Sequence, residues 1–246
     1  MDEMIYIAMT GAKQTEIAQS INSNNLANIS TTGFRADLHA FSSLPVEGPG
    51  VDTRVNAVTD SYGTDLSAGA LQSTGRASDV AITGNGYFAV QAADGSEAYT
   101  RRGDFRIEPG GLLTNGAGQL VIGEGGPVAV PPNSSLLIGN DGTISVQPLG
   151  QGPETVSIVD RIKLVKPDET QLTKGADGLL RLPDGEEAVA DATVSVQSGM
   201  LESSNVNVAK TLVNMIELAR QYEMQVNVIK SAEENADSAA QMMRLG

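Results

Sequence analysis

The sequence contains no cysteine, no tryptophan and a single histidine, His39. Without cysteine the chain cannot form a disulfide, a thiolate nucleophile or a cysteine-ligated zinc site. Any histidine-based catalytic triad would depend on His39 alone, and no Gly-x-Ser-x-Gly motif accompanies it. We therefore expect His39 to be an ordinary side chain of a connecting segment, and we expect no catalytic residue and no enzymatic activity.

Positive charge is also scarce, with 16 Lys and Arg against 30 Asp and Glu and a formal net charge of −14. Binding to nucleic acid or to an anionic membrane surface requires clustered basic side chains, so we exclude nucleic acid as a partner. The negative charge is concentrated in the middle of the chain, because residues 1–40 and 200–246 each carry a net charge of only −2. Both ends are therefore close to neutral.

Long apolar runs are absent as well: no run approaches the roughly 20 residues that a membrane-spanning helix requires, so no span is predicted. The N-terminal stretch MDEMIYIAMTGAK begins with two acidic residues and has no basic region, and we do not expect it to act as a cleaved secretory signal. Aromatic residues make up only 4% of the chain, whereas glycine occurs 27 times. This composition predicts an aliphatic core and frequent turns.

The N-terminal segment has the spacing of a helix. From Met4 to about Ala27, small and apolar residues recur every three or four positions, which predicts a helix with a narrow contact stripe. This stripe includes Ile7, Gly11, Ala18 and Ile21. Its glycine and alanine allow a close neighbour but bury little apolar surface.

The C-terminal segment shows a stronger repeat over roughly five heptads, which predicts a long amphipathic helix with a coiled-coil seam. Its stripe includes Leu212, Met215, Ala219, Tyr222, Val226 and Ile229. Ser203, Ser204 and Asn205 are predicted to cap its first turn. Neither terminal helix can cover its stripe with residues nearby in sequence. We therefore expect the two to pair as a coiled-coil-like arm and to pack on further helices.

The middle of the chain follows a different pattern. Residues 76–199 consist of short β-prone runs separated by Asn-Gly and Asp-Gly turns, which predicts an all-β antiparallel domain. Residues 37–75 have little clean periodicity and are predicted to be an extended connector. The predicted fold class is therefore α+β, with a discontinuous helical arm formed by 1–36 and 200–246.

Several local patterns suggest chemistry, and each has a simpler interpretation. The stretch GNGYFA, residues 84–89, fits a dinucleotide-binding loop, but that loop must open a helix, and here the pattern continues as a strand. The Asp-Gly turns lack the spacing of a calcium loop. Glu186 and Glu187 follow such a turn, which favours a solvated loop over an acid–base pair. We predict no cofactor and no metal.

The adjacent basic residues Arg101 and Arg102 lie in YTRRGDF, residues 99–105. One interpretation places both at the surface of a strand edge or a tight turn. The other is that they contact an acidic neighbouring subunit.

Three parts of the chain carry motifs of one family. Residues 24–34, NNLANISTTGF, meet every fixed position of the pattern NN-x-AN-x-ST-x-GF, and residues 199–206, GMLESSNV, are similar to the paired pattern G-x-LE-x-SNV. The stretch from TGRASDVAI to YTRRGDF resembles the family's β-domain pattern, with Ser78 standing where leucine is expected. The sequence thus resembles the axial rod and hook proteins of the bacterial flagellum, and in particular the basal-body rod proteins.

This resemblance implies a structural subunit of the rod, more similar to the proximal-rod members than to the distal-rod member. It implies that the terminal arms form an inner helical layer with the β domain outside. The implied partners are further copies of the chain, other rod proteins and, during export, the flagellar type III apparatus. The implied location is the periplasmic rod, reached without a cleaved signal. A secreted β-domain binding module with oligomerising helices is the alternative from another class.

The stretch SNNLANISTTGF, residues 23–34, contains more amides than a helix end needs. Locally it reads as such an end, with asparagines bonding the last carbonyls and Gly33 at a positive φ. An amide both donates and accepts hydrogen bonds. We therefore predict that Asn24, Asn25 and Asn28 fix the register between the arms or between subunits, and that Phe34 anchors the helix end. Asn205, in the later ESSNV motif, is predicted to take part in the same interface.

Overall fold

Helices occupy both ends of the chain, as the terminal repeats predict. In the computed structural model, which describes residues 2–45, 55–148 and 155–244, α1 spans Asp2–Ala27 and α2 spans Val208–Arg244. The two helices pack side by side and run antiparallel, because Thr15 of α1 contacts Gln225 of α2 and Asn22 contacts Thr211.

The first turn of α2 is capped by Asn207. Its side-chain oxygen accepts a hydrogen bond from the backbone N–H of Lys210 at 3.1 Å. The prediction that Ser203, Ser204 and Asn205 form this cap was wrong. These three residues precede the helix by several positions, and the amide of Asn205 bonds to other backbone groups instead.

Two strands accompany the helices. Strand β1 spans Asp37–Pro45 and pairs with β2, which spans Val55–Thr64. Contacts group the helices with these strands into a helical unit, composed of Met1–Asn28, Asp37–Gly63 and Val206–Gly246. The segment 37–75, which we expected to be a connector, therefore contains paired strands, because extended backbone satisfies its hydrogen-bonding groups best by pairing.

The remaining strands form a β unit, composed of Ile29–Ala36 and Thr64–Asn205. Its strands are β3 (Leu71–Ser73), β4 (Val80–Thr83), β5 (Tyr87–Gln91), β6 (Glu97–Thr100), β7 (Arg106–Ile107), β8 (Leu113–Thr114), β9 (Leu120–Gly123), β10 (Gly126–Pro127), β11 (Asn133–Ile138), β12 (Thr143–Pro148), β13 (Ser157–Arg161), β14 (Leu164–Val165), β15 (Thr173–Lys174), β16 (Leu180–Arg181), β17 (Ser195–Ser198) and β18 (Met200–Glu202). Two single-turn 3₁₀ helices, Glu169–Gln171 and Pro183–Gly185, interrupt them.

The strands of the β unit pair antiparallel in several sheets. A nine-stranded sheet has the order β15-β16-β6-β5-β9-β8-β7, with β10 paired to β9 and β14 paired to β5. A three-stranded sheet has the order β11-β12-β13, and two smaller pairs join β17 to β4 and β18 to β3. The predicted central antiparallel β region is confirmed. The stretch 84–89 joins β4 to β5 as a turn followed by a strand, so the dinucleotide-loop reading does not apply.

The apolar core lies inside the β unit. Its largest members are fully buried, and the rings of Phe88 and Phe105 meet edge to face with centroids 5.1 Å apart. Val80, Leu113 and Ile144 complete the centre of this cluster. Alternation along the strands produces it, because every second side chain of a strand faces the same side.

Candidate assembly interface

The contact between the two helices is narrow and largely polar or small. On α1 the buried side chains are Thr15, Ala18, Asn22 and Asn25, which recur every three or four residues and so share one face. On α2 the buried side chains are Thr211, Leu218 and Ala232, each separated from the next by a whole number of heptads. Little apolar area is therefore buried inside the helical unit itself.

Hydrogen bonds set the register of this contact. The Asn22 side-chain amide donates to the backbone carbonyl of Thr211 at 2.9 Å, and the Thr15 hydroxyl donates to the side-chain carbonyl of Gln225 at 3.2 Å. Gly11 lies where a Cβ atom would come within 2.9 Å of the Gln225 amide nitrogen. The close neighbour expected at Gly11 is therefore a side chain of α2 in the same chain.

The predicted apolar stripe of α2 lies beside the buried face rather than on it. Leu212 and Tyr222 are 44% and 41% exposed. Met215, Ala219, Val226 and Ile229 are half-buried, as are Ile7 and Ile21 on α1. More large apolar side chains are exposed on the helices, namely Tyr6, Met9, Ile17, Val208, Val213, Ile216, Met224 and Val228. The helical unit thus carries far more apolar surface than it covers.

The amide cluster after α1 has separate tasks. Asn25 bonds Asp37 twice, donating from its amide nitrogen to the Asp37 carbonyl at 2.8 Å and accepting from the Asp37 N–H at 2.9 Å. The Asn28 amide donates to the carbonyl of Asn24 at 3.0 Å, which confirms the helix-end reading, while the Asn24 side chain is exposed. The register bond to α2 comes from Asn22.

A buried charge cluster centres on Glu202 in the β unit. One carboxylate oxygen accepts from the Arg35 guanidinium at 2.6 Å and from the Gly69 N–H at 2.8 Å. The other accepts from the Arg101 guanidinium at 3.1 Å. Because both arginines and Glu202 are at most 4% exposed, water screens these attractions very little.

Arg101 therefore does not lie at the surface, as one interpretation expected. Its guanidinium also donates to the carbonyl of Gly84 at 2.6 Å and lies over the Tyr87 ring, 5.2 Å from the centroid. Burial lowers the pKa of Arg101, and the nearby Glu202 carboxylate raises it again. Arg102 is partly exposed and bonds Asp104 through two nitrogens, at 2.8 and 3.0 Å. Both arginines thus have acidic partners in their own chain, and a contact with a second subunit stays a prediction.

The two family motifs meet in the β unit. The Gly33 N–H donates to the Glu202 carbonyl at 2.8 Å, and the Asn205 side-chain oxygen accepts from the Ala36 N–H at 2.8 Å. The Asn205 amide nitrogen donates to the carbonyl of Asp65 at 2.8 Å. Residues 29–36 are therefore held by Glu202 and Asn205, which lie about 170 positions later in the sequence.

Gly33 and Phe34 lie at the centre of this junction. Gly33 has the predicted positive φ, +67°, and a Cβ atom there would come within 2.5 Å of the backbone carbon of Arg101. Phe34 is half-buried, and the Lys174 ammonium lies 4.1 Å from the centroid of its ring. The same ammonium donates to the carbonyl of Arg35 at 2.7 Å.

Other candidate groups have ordinary surroundings. His39 is half-buried in β1, its ring meets Phe41 edge to face at 6.0 Å, and burial lowers its pKa. Glu186 and Glu187 are exposed. Within the described ranges, no three or more His, Cys, Asp or Glu side chains group as a metal site would require. Neither described helix combines the length and apolar character needed to cross a membrane.

Comparison with known proteins decides the family. Family models match three parts of the chain: "Flagella basal body rod protein" at residues 5–35, "Flagellar hook protein FlgE/F/G D1 domain" at 81–146, and "Flagellar basal body rod FlgEFG protein C-terminal" at 197–242. The chain is also 44% identical to the flagellar basal-body rod protein FlgF of Escherichia coli strain K12, over 100% of both chains.

The chain belongs to the flagellar basal-body rod protein family. The rod subunit is also 43% identical to FlgF of Salmonella typhimurium, again over 100% of both chains. FlgG of Buchnera aphidicola subsp. Schizaphis graminum is 32% identical, with 97% of this chain and 98% of that protein covered. These identities confirm the FlgF-like resemblance, and the rod subunit is a structural component of the flagellar basal body.

Two functional residues escaped the sequence reasoning. Glu202 belongs to the matched C-terminal segment but was read only as part of a motif, although a lone acid between apolar and serine residues is a signal of burial. Asn22 shares the face of Ala18 and Asn25 at helical spacing, and that spacing could have identified it.

Proposed function

We propose that the rod subunit polymerises helically through its terminal helices, as part of the drive shaft that crosses the periplasm. In this proposal α1 and α2 form a coiled-coil-like arm that packs against the arms of neighbouring copies and of other rod proteins. The subunit reaches the rod through the flagellar type III export apparatus, without a cleaved signal. Membership of the rod family supports the proposal.

One observation carries this proposal: the arm leaves its apolar stripe uncovered. Leu212 and Tyr222, at helical spacing with half-buried Met215, Ala219, Val226 and Ile229, form a stripe along α2 that α1 only flanks. Covering apolar surface stabilises by about 25 cal/mol per Å². Neighbouring helices in an assembly would supply that cover, whereas a single chain cannot.

The remaining predicted interface residues divide by position. On α1, Ile7, Gly11, Ala18 and Ile21 share the side of the helix that faces α2 or borders it. Exposed Asn24 is free of burial and suits a contact with a second copy. For Asn25, Asn28, Gly33, Phe34 and Asn205, we propose that they shape the ends of the arm, since each bonds or packs locally within its unit.

The test introduces a charge on the stripe. In a strain whose own copy is deleted, Leu212→Glu should abolish or strongly reduce motility and remove the subunit from purified basal bodies. A carboxylate facing a packed apolar neighbour is costly when unpaired. The isolated Leu212→Glu subunit should keep its helix content, because the side chain is exposed in the single chain.

Asn227→Glu is the matched control, since it adds the same carboxylate at an exposed position of α2 outside the stripe. It should support motility at or near the wild-type level. Normal motility and normal rod content with Leu212→Glu would overturn the proposal that this stripe is the assembly surface.

A further inference from the structure

The three-stranded sheet β11-β12-β13 has one face in the core and one face in solvent. Ile138, Ile144 and Val146 are buried on the core side. On the other side, register places Leu137 opposite Ser145 and Ser145 opposite Ile158. Leu137 is 54% exposed and Ile158 is 74% exposed. We call this outward side, with Ser135, Leu137, Ser145, Gln147, Val156 and Ile158, the neutral sheet face.

The neutral sheet face is unusual for the unit that carries it. The β unit contains 18 Asp and Glu against 10 Lys and Arg, a net charge of −8. None of the residues that define the face is charged. The nearby acid Asp160 pairs with buried Ile144 and so lies on the opposite side, beside Gly123. An apolar patch without charge on an otherwise acidic surface has the composition of an interface centre.

Charge also indicates which partner fits this face. A basic partner would be drawn to the carboxylates elsewhere on the unit and would gain nothing from a neutral patch. Two copies of the same acidic unit repel each other. Their repulsion is smallest where neither presents a carboxylate, so a neutral face is where one copy can accept another.

The size of the patch sets the conditions of contact. Stable pairs bury about 1,200 Å² or more in total, which three exposed apolar side chains cannot supply alone. A contact of this size holds only when other contacts keep the partners together and raise their effective concentration. The helical arms supply those contacts in the proposed assembly.

We infer that the neutral sheet face contacts a second copy of this chain within the rod, an inference that rests on the proposed function. The contact is auxiliary to the helical arms and positions neighbouring β units. The isolated subunit therefore remains monomeric, and the face is covered only after assembly.

Photo-crosslinking in the assembled rod tests the inference. Benzoylphenylalanine is placed at position 158 or, as control, at position 189, because Val189 is 86% exposed in the β unit but lies outside the face. After irradiation and purification of basal bodies, position 158 should crosslink to a second copy of the chain, and position 189 should do so far less. Crosslinks from 158 to a different protein, equal crosslinking from both positions, or none from 158 would each overturn it.

A charge variant gives an independent measurement. Ile158→Glu should lower the amount of subunit in purified basal bodies about tenfold, which is the effect of losing one central interface contact, and Val189→Glu should not. Both variants should keep the thermal unfolding midpoint of the wild type, because both side chains are exposed. If wild-type subunit is found in rods and Ile158→Glu matches it, the inference fails while the proposed function stands. If wild-type subunit itself is missing from rods, the proposed function fails.

Discussion

In the β unit Phe88, Phe105 and Leu113 are fully buried, whereas in the helical unit Tyr6, Ile216 and Met224 are each more than half exposed. The first unit therefore covers its own apolar surface, and the second does not. Most helical stability in proteins comes from packing an apolar face, so the arm is the part that gains most from neighbours. The difference separates a self-contained folding unit from an incomplete packing surface in one chain.

The largest expected effect tests how self-contained the β unit is. Glu202→Ala leaves Arg35 and Arg101 buried without their shared carboxylate, and we expect a loss of about 3–5 kcal/mol in the free energy of unfolding. Urea unfolding of the full chain measures it. Glu187→Ala removes an exposed carboxylate of the same unit and should change stability by less than about 0.5 kcal/mol. A loss below about 1 kcal/mol for Glu202→Ala would contradict the role assigned to the cluster.

The same substitution in the two units should have opposite signs. Gly33→Ala forces a Cβ atom against the backbone of Arg101 at a positive φ, and should cost about 1–3 kcal/mol. Gly11→Ala places a Cβ only against the movable end of Gln225, and alanine favours a helix over glycine by up to about 1 kcal/mol. Thermal unfolding of both variants decides. A destabilised Gly11→Ala subunit would show that the helical contact is packed as tightly as the β unit.

The smallest effect concerns the start of α2. Asn207→Ala removes the cap bond to Lys210 and should cost about 1 kcal/mol, seen as lower helix content by circular dichroism on warming. Ser203→Ala, at a position that the sequence suggested as a cap, should leave helix content unchanged. If Ser203→Ala had the larger effect, the helix would begin earlier in solution than the structure indicates.

Periodicity predicted what depends on local spacing. Both helices, the central antiparallel strands and the positive φ of Gly33 were predicted from sequence, because repeats and turn residues act over a few positions. The face of α2 that meets α1 was not, since the strongest apolar stripe runs through Leu212 and Tyr222 while Thr211 and Leu218 are buried. A spacing argument finds the most apolar face, but a single chain buries the face that its own partner helix reaches.

Long-range pairing also lay beyond local patterns. The motifs around Gly33 and Glu202 were predicted to be neighbours, yet their atoms differ from the ones proposed: backbone groups of Gly33 and Ala36 make the bonds, and the arginines at 35 and 101 supply the charge. Nothing in local spacing indicates that Arg101 turns inward, because its burial depends on a carboxylate 101 residues away.

That separation governs the order in which the molecule can be completed. Arg35 and Glu202 are 167 residues apart, so a chain that emerges N-terminus first, from a ribosome or through a narrow pore, exposes Arg35 long before its carboxylate arrives. Until then residues 29–36 have no Glu202 or Asn205 to hold them. The final closure of the β unit is thus delayed until nearly the whole polypeptide has emerged, and it coincides with the appearance of the second helix.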